Sequence, residues 1–432
     1  MYTGFRDLPA ALRRRPGPPG APGSETDPTA PGQGIRVPGF VWGLGVVSLL
    51  TDASTEMIGT SLPLYLSTWL RVGPLALASV DAFQQAMTAV MRMGTALVAD
   101  RTRRPRMVAT AGYLTSALSR LLLIFGAPTT GMVAGSVIVD RVGKGIRTGP
   151  RDALITAGSP SGRLGAAFGV HRSLDAVGAF LGPLLTYVIL RATNGTGFRA
   201  VFMVAALVGG LGVTAMLLLV PPTPRLQTAI PRPPRTSKPP LQLLVTAGLV
   251  GCCTVGDALV LIVLLRSAAL SNATYPLLAV AASFFFAVLA GPFGRLADRV
   301  RPMRIYLGGT IALALTYVML GQNLPASQGS VIVVLAAIGC SYAATDGVLA
   351  AIVAHASTAG SLATAQASVQ TASSLGRAVG SATFGLLWAS YGPSRAFQVF
   401  GIALIAATAF SGAINRSHPM VNRTNQHHTG RH

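Results

Sequence analysis

Apolar runs of about twenty residues, separated by short polar turns, recur along the whole chain. They fall near 38–68, 74–98, 107–126, 131–150, 164–190 and 199–220, then 241–266, 275–297, 303–321, 330–354, 361–390 and 395–415. About twenty apolar residues is the length a helix needs to cross bilayer hydrocarbon. The first run is long for one span, and Pro63 predicts a kink within it. The break at 221–240 holds eight prolines in twenty residues, so it cannot be helical. It predicts a stiff, exposed linker between two six-span halves. The expected fold is an all-α polytopic membrane protein, with twelve transmembrane helices in two pseudo-symmetric six-helix bundles, 37–220 and 241–415. Residues 1–36, rich in Pro, Gly and Arg, read as a disordered tail, and 416–432 as a second tail.

Composition agrees. Of 432 residues, 51% are hydrophobic and 11% charged, against about a quarter charged in soluble domains. The mean hydropathy is +0.55. The net charge of +21 would suggest nucleic acid in a soluble protein. Here the cations lie in short segments between apolar runs, so no nucleic-acid partner is expected. They concentrate in the N-tail, the 2–3 loop, the 4–5 loop, the linker, the 8–9 loop and the C-tail. The opposite loops hold Arg71, Arg191, Arg199, Arg266 and Arg395. That bias places both termini and the linker in the cytoplasm. No cleavable signal precedes the first run, which then acts as an uncleaved insertion signal.

Chemistry enters through charges inside the apolar runs. Each costs about 2.5–3.5 kcal/mol near the centre of a span and is tolerated only when paired or facing water. The densest stretch is VDRVGKGIRTGPRDAL from Val139, followed by FGVHRSLDAVGAFLGP ending at Pro183. Asp52 and Glu56, four apart, share one face of span 1. Asp140 and Arg141 lie on span 4, Asp257 on span 7 and Asp346 on span 10. On span 5, Arg172 and Asp175 are three apart and placed to neutralise each other, beside His171. Arg92, Arg120 and Arg377 need partners that the sequence does not identify. Cys252, Cys253 and Cys340 lie in apolar runs with no metal spacing. No cofactor, metal site, nucleotide loop or catalytic triad is expected, and the chain does not read as an enzyme.

An internal repeat supports the two halves. ALVADRTRRPR follows span 2 and GRLADRVRPMR follows span 8. Asp100 with Arg101, and Asp298 with Arg299, suit ion-paired latches between helices, and Asp152 in the segment 151–163 suits a third. The two repeat segments resemble the loop 2–3 signature of the major facilitator superfamily and its second-half echo. Arg141-Val-Gly-Lys-Gly145 resembles that family's span-4 arginine motif, and Gly178-Ala-Phe-Leu-Gly182-Pro183 its span-5 antiporter signature. The glycine pair that should follow is replaced by Leu184, Leu185 and Thr186. TDASTEM, DRVGKGIRTGPRDAL and FGVHRSLDAVGAFLGPLL resemble a little-characterised group of bacterial permeases in that superfamily.

The resemblance implies two bundles rocking about a central cavity lined by spans 1, 4, 7 and 10. It makes Asp52, Glu56, Asp140, Arg141, Arg172, Asp175, Asp257 and Asp346 candidates for a substrate or proton pathway. Gly178, Gly182 and Pro183 become a hinge or seal. The expected activity is alternating-access transport of a small molecule, proton-coupled, exporting an amphipathic or cationic compound from a bacterial inner membrane. Uptake by symport, and lipid flipping or scrambling on the same fold, are the alternatives. The expected partners are the bilayer, the substrate and protons, with the protein acting as a monomer.

Overall fold

A computed structural model describes residues 38–101, 104–159, 164–221, 240–322, 327–356 and 362–417. The two tails and nearly all of the proline-rich break therefore lie outside the described residues. Thirteen α-helices are present among them: α1 (Gly39–Leu64), α2 (Pro74–Arg101), α3 (Pro105–Phe125), α4 (Thr130–Gly158), α5 (Leu164–Ala192), α6 (Phe198–Leu219), α7 (Leu241–Cys252), α8 (Asp257–Ser267), α9 (Tyr275–Arg299), α10 (Pro302–Gly321), α11 (Gln328–Ala356), α12 (Leu362–Tyr391) and α13 (Pro393–Ser417). Local chemistry sets many of the starts. Pro105, Pro302 and Pro393 open their helices, where a missing N–H costs nothing. Thr129 caps α4 by accepting the Met132 N–H at 3.2 Å. Pro63 lies near the end of α1, and the first span then passes into a π-helical turn over Tyr65–Trp69.

Packing repeats itself across the two halves. In the first, α1 packs on α5 and α6, α3 on α4 and α6, and α2 on α4. In the second, α7 packs on α12 and α13, α10 on α11 and α13, and α9 on α11. Each of these contacts has its counterpart six spans later, provided α7 and α8 count as one span. The halves meet through α2 on α12 and α5 on α9, themselves a symmetric pair.

These cross-half contacts gather toward one end, here called the far end. There Gly385 on α12 approaches Leu75 and Ala78 of α2, and Gly195, at φ +78°, faces Asn272. The opposite, linker end is where α6 stops at Leu219 and α7 starts at Leu241. Toward it α4 and α11 make no comparable contact among the described residues.

Two features depart from the sequence expectation. The segment 151–163 is not a loop throughout, because α4 runs on to Gly158. Leu154 and Ile155 are fully buried there, packed with Val41, Leu44, Tyr113 and Met216, and that packing holds the extra turns. Span 7 is also broken between Cys252 and Asp257. An open backbone at membrane depth needs partners. Tyr317 Oη accepts the Val255 N–H at 3.0 Å, and Thr254 Oγ1 donates to the Val250 carbonyl at 2.7 Å.

Eight spans among the described residues are long and apolar enough to cross a membrane. The helices outside that set are α1, α2, α4 and α12. Leu207, Leu218, Val188 and Ile402 are exposed, as lipid-facing side chains are.

Candidate functional site

Helices of both halves deliver polar groups to one place. A cavity of about 510 Å³ lies between the halves, walled by α1, α2 and α4 of the first and by α8, α9, α11 and α12 of the second. Four carboxylates reach its wall: Glu56, Asp81, Asp257 and Asp346. Two guanidiniums oppose them, Arg141 from the first half and Arg377 from the second. Thr60, Gln84, Gln85 and Tyr342 add uncharged polar surface.

The second half ties its charges together. Arg377 lies 3.5 Å from Asp346, with its guanidinium 5.7 Å from the centre of the Tyr342 ring. The Tyr342 hydroxyl donates to Asp257, the first residue of α8. In the first half, Arg141 donates to Gln84 Oε1 at 3.3 Å, and no carboxylate pairs with it among the described residues. Arg141 therefore keeps its charge available to the cavity. Asp81 is held from across the halves, where Ser381 Oγ donates to its Oδ2 at 2.5 Å.

Asp140 turns away from the cavity. It pairs with Arg120 of α3 at 2.8 Å, and Arg120 also donates to Thr55 Oγ1 at 2.9 Å. Adjacent helix residues point about 100° apart, so with Arg141 in the cavity its neighbour must face elsewhere. Asp52, one turn before Glu56, sits 3.5 Å from Arg147, which lies 4.7 Å from the centre of the Tyr113 ring. Ser48 Oγ, one turn before Asp52 on α1, donates to Asp175.

The expected neutralisation of Arg172 by Asp175 does not form among the described residues. Arg172 is exposed, while Asp175 is drawn toward α1. His171 is buried, with neither ring nitrogen hydrogen-bonded. Asp152 pairs at 2.9 Å with Arg151 on its own helix. The side chains of Arg92, Asp100, Arg101 and Asp298 lie outside the described residues, and Arg299 is exposed at the end of α9. No set of metal-ligating side chains gathers among the described residues.

Gly178 and Gly182 of α5 lie against the α1 backbone. A Cβ on Gly178 would meet the Leu49 carbonyl oxygen at 2.2 Å, and one on Gly182 the Ala53 carbonyl oxygen at 2.5 Å. Pro183 follows inside α5. Gly182→Leu is expected to insert in the membrane but lose at least about tenfold in transport, because overpacking displaces Glu56 and its helix. Vesicle transport normalised to membrane-inserted protein checks this, and unimpaired transport would remove the close-packing role.

Sequence reasoning missed Asp81, Gln84, Gln85 and Tyr342. Asp81-Ala-Phe-Gln-Gln85 is a polar cluster inside an apolar run, which was signal enough. Attention to spans 1, 4, 7 and 10 alone excluded it.

A family model described as Major Facilitator Superfamily matches residues 44–271 and 247–428. An uncharacterised MFS-type transporter of Methanocaldococcus jannaschii is 29% identical over 317 residues, spanning 70% of this chain and 77% of that protein. An uncharacterised protein of Mycobacterium tuberculosis is 36% identical over 200 residues, 45% of each chain. Among solved structures, the nucleoside transporter NupG superposes with a TM-score of 0.73 at 12% identity, covering 87% of this chain and 99% of that one. A peptide transporter, POT, in complex with sulfate gives 0.73 at 14% identity, covering 89% and 96%. A bacterial homologue of the lysosomal transporter Spinster, inward-facing and unoccupied, gives 0.70 at 14% identity, covering 88% and 96%. At these identities the superpositions show the fold alone.

Proposed function

Because the chain belongs to the Major Facilitator Superfamily, and is a multi-pass membrane transporter and not an enzyme, we propose that it exchanges a small amphipathic cation for protons and exports that cation. The observation that carries this reading is the cavity wall, on which four carboxylates face two guanidiniums. Such a wall favours a positively charged solute. Arg141 and Arg377 then exclude small inorganic cations and orient any anionic or polar end of the solute.

Exchange follows from proximity. Glu56 lies one helical turn from Asp52, the carboxylate to which we assign the exchanged proton. Side chains four apart on a helix are about 6 Å apart. Two unit positive charges at that separation repel by roughly 3 kcal/mol at an effective dielectric of 20, about a hundredfold in occupancy. A cation at Glu56 therefore expels the proton, and a proton at Asp52 expels the cation. A proton gradient directed inward drives the cation out. With the termini cytoplasmic, as the positive-inside bias favours, the far end faces outward and the described state is closed on that side.

The test is a comparative accumulation screen in a strain lacking the protein, followed by transport in everted vesicles. Cationic solutes should build up in the deletion strain. Glu56→Gln and Asp257→Asn should each reduce cation movement by at least about tenfold, the loss of one charge-assisted contact. Accumulation of anions alone, or wild-type cation transport in both variants, would overturn the reading.

A further inference from the structure

Asp81 occupies a place built for it by the other half of the molecule. It belongs to α2, yet its hydrogen-bond donor is Ser381 of α12. Its carboxylate also fills the space beside Gly256, directly before α8, where a Cβ would come within 2.0 Å of Oδ2. Gly256 is the N-cap residue of α8, and no side chain of its own chain neighbourhood caps that helix. The first N–H groups of a helix lack intrahelical acceptors and favour negative charge. So α8 begins with a missing side chain at the spot that a carboxylate of the opposite half fills. The break in span 7 creates this spot, since an unbroken helix would present neither the glycine gap nor a helix start.

We propose that Asp81 is the bolt of the far-end closure. It is a positioning residue whose seating against Gly256 and Ser381 holds the two halves together, and whose withdrawal opens the cavity toward that end. Alternating access requires α2 and α12 to part there, and the Asp81–Ser381 contact lies within that surface. Asp81 also forms part of the cavity wall, as do Arg377, one turn from Ser381 on α12, and Asp257, next to Gly256. One side chain thus belongs to both the closure and the cavity wall. The proposal holds for a solute of any charge, and its test needs no substrate.

The experiment uses the full chain in lipid nanodiscs, in a background without Cys252, Cys253 and Cys340. Spin labels are placed at Thr196 and Gln328, exposed far-end positions of the two halves. Gly256→Ala introduces a methyl group into the carboxylate's space. It should raise the ratio of long to short label distances by roughly tenfold or more. Asp81→Ala should raise it less, because the Ser381 contact and the carboxylate at the start of α8 are lost without any overpacking. The double variant Asp81→Ala/Gly256→Ala should match Asp81→Ala, because the methyl group then enters the vacated space. Ser381→Ala, which leaves the backbone fit untouched, should raise the ratio a few-fold. An unchanged distribution in Gly256→Ala, a double variant in which the two effects simply multiply, or an unchanged distribution in Ser381→Ala would each overturn the proposal.

Discussion

Asp140→Leu is expected to destabilise the protein by about 3–5 kcal/mol, the largest single loss of stability foreseen here. Arg120 is almost fully buried, with a side-chain exposure of 3%, and Asp140 is its ion-pair partner at 2.8 Å. Removing the carboxylate leaves a guanidinium in a buried helix interface with Thr55 and Ser119 to receive its protons. The remedy follows from the same physics. Two apolar residues of similar volume cost little where one unpaired charge costs much. The double variant Arg120→Met/Asp140→Leu should therefore recover most of the loss. Thermal unfolding in detergent checks both, and equal instability of the single and double variants would show that packing, not charge, dominates this site.

Asp52→Asn is expected to abolish cation-linked proton movement, by at least about a hundredfold, while cation binding persists. The groups facing Asp52 are Arg147 and Lys144 of α4, Asp175 of α5 and Glu56 of its own helix. The asparagine amide oxygen can still accept from Arg147, but the side chain carries no exchangeable charge. Glu56 remains in the cavity to bind the cation. Binding and coupling should thus separate: a cation still shifts the protein's melting temperature, yet releases no protons. Proteoliposomes with an internal pH indicator read the second quantity. Coupled proton movement at the wild-type rate in Asp52→Asn would remove Asp52 from the mechanism.

The fold was largely legible because membrane helices obey one dominant rule, that apolar length must match the bilayer. The spans read from hydropathy overlie the observed helices, and the paired ADR segments close α2 and α9 at equivalent positions. Span 7 escaped this rule because its apolar run is continuous, and Gly256 alone hinted at the break. The site was legible only in part. Glu56, Arg141, Asp257 and Asp346 reach the cavity, whereas Asp140 and Asp52 face neighbouring helices. A burial argument finds charged residues but not the directions in which they point. Helical geometry could have separated Asp140 from Arg141, since neighbours cannot share a face. Asp81 was hidden for another reason. Its partners, Ser381 and Gly256, are polar or small residues more than 170 positions away, and neither carries a charge to betray it.

The most direct measurement is the reactivity of Gln85→Cys, on the cavity wall, in the cysteine-free background. A membrane-impermeant thiol reagent is applied to each face of the membrane in turn. A water-filled cavity between two rocking halves predicts labelling from the linker face in the resting protein. It predicts labelling from the far face once Gly256→Ala is added, and protection from both faces by a bound cation. A cysteine at this position that stays unreactive from both faces, in both backgrounds, would show that no aqueous path passes between the halves.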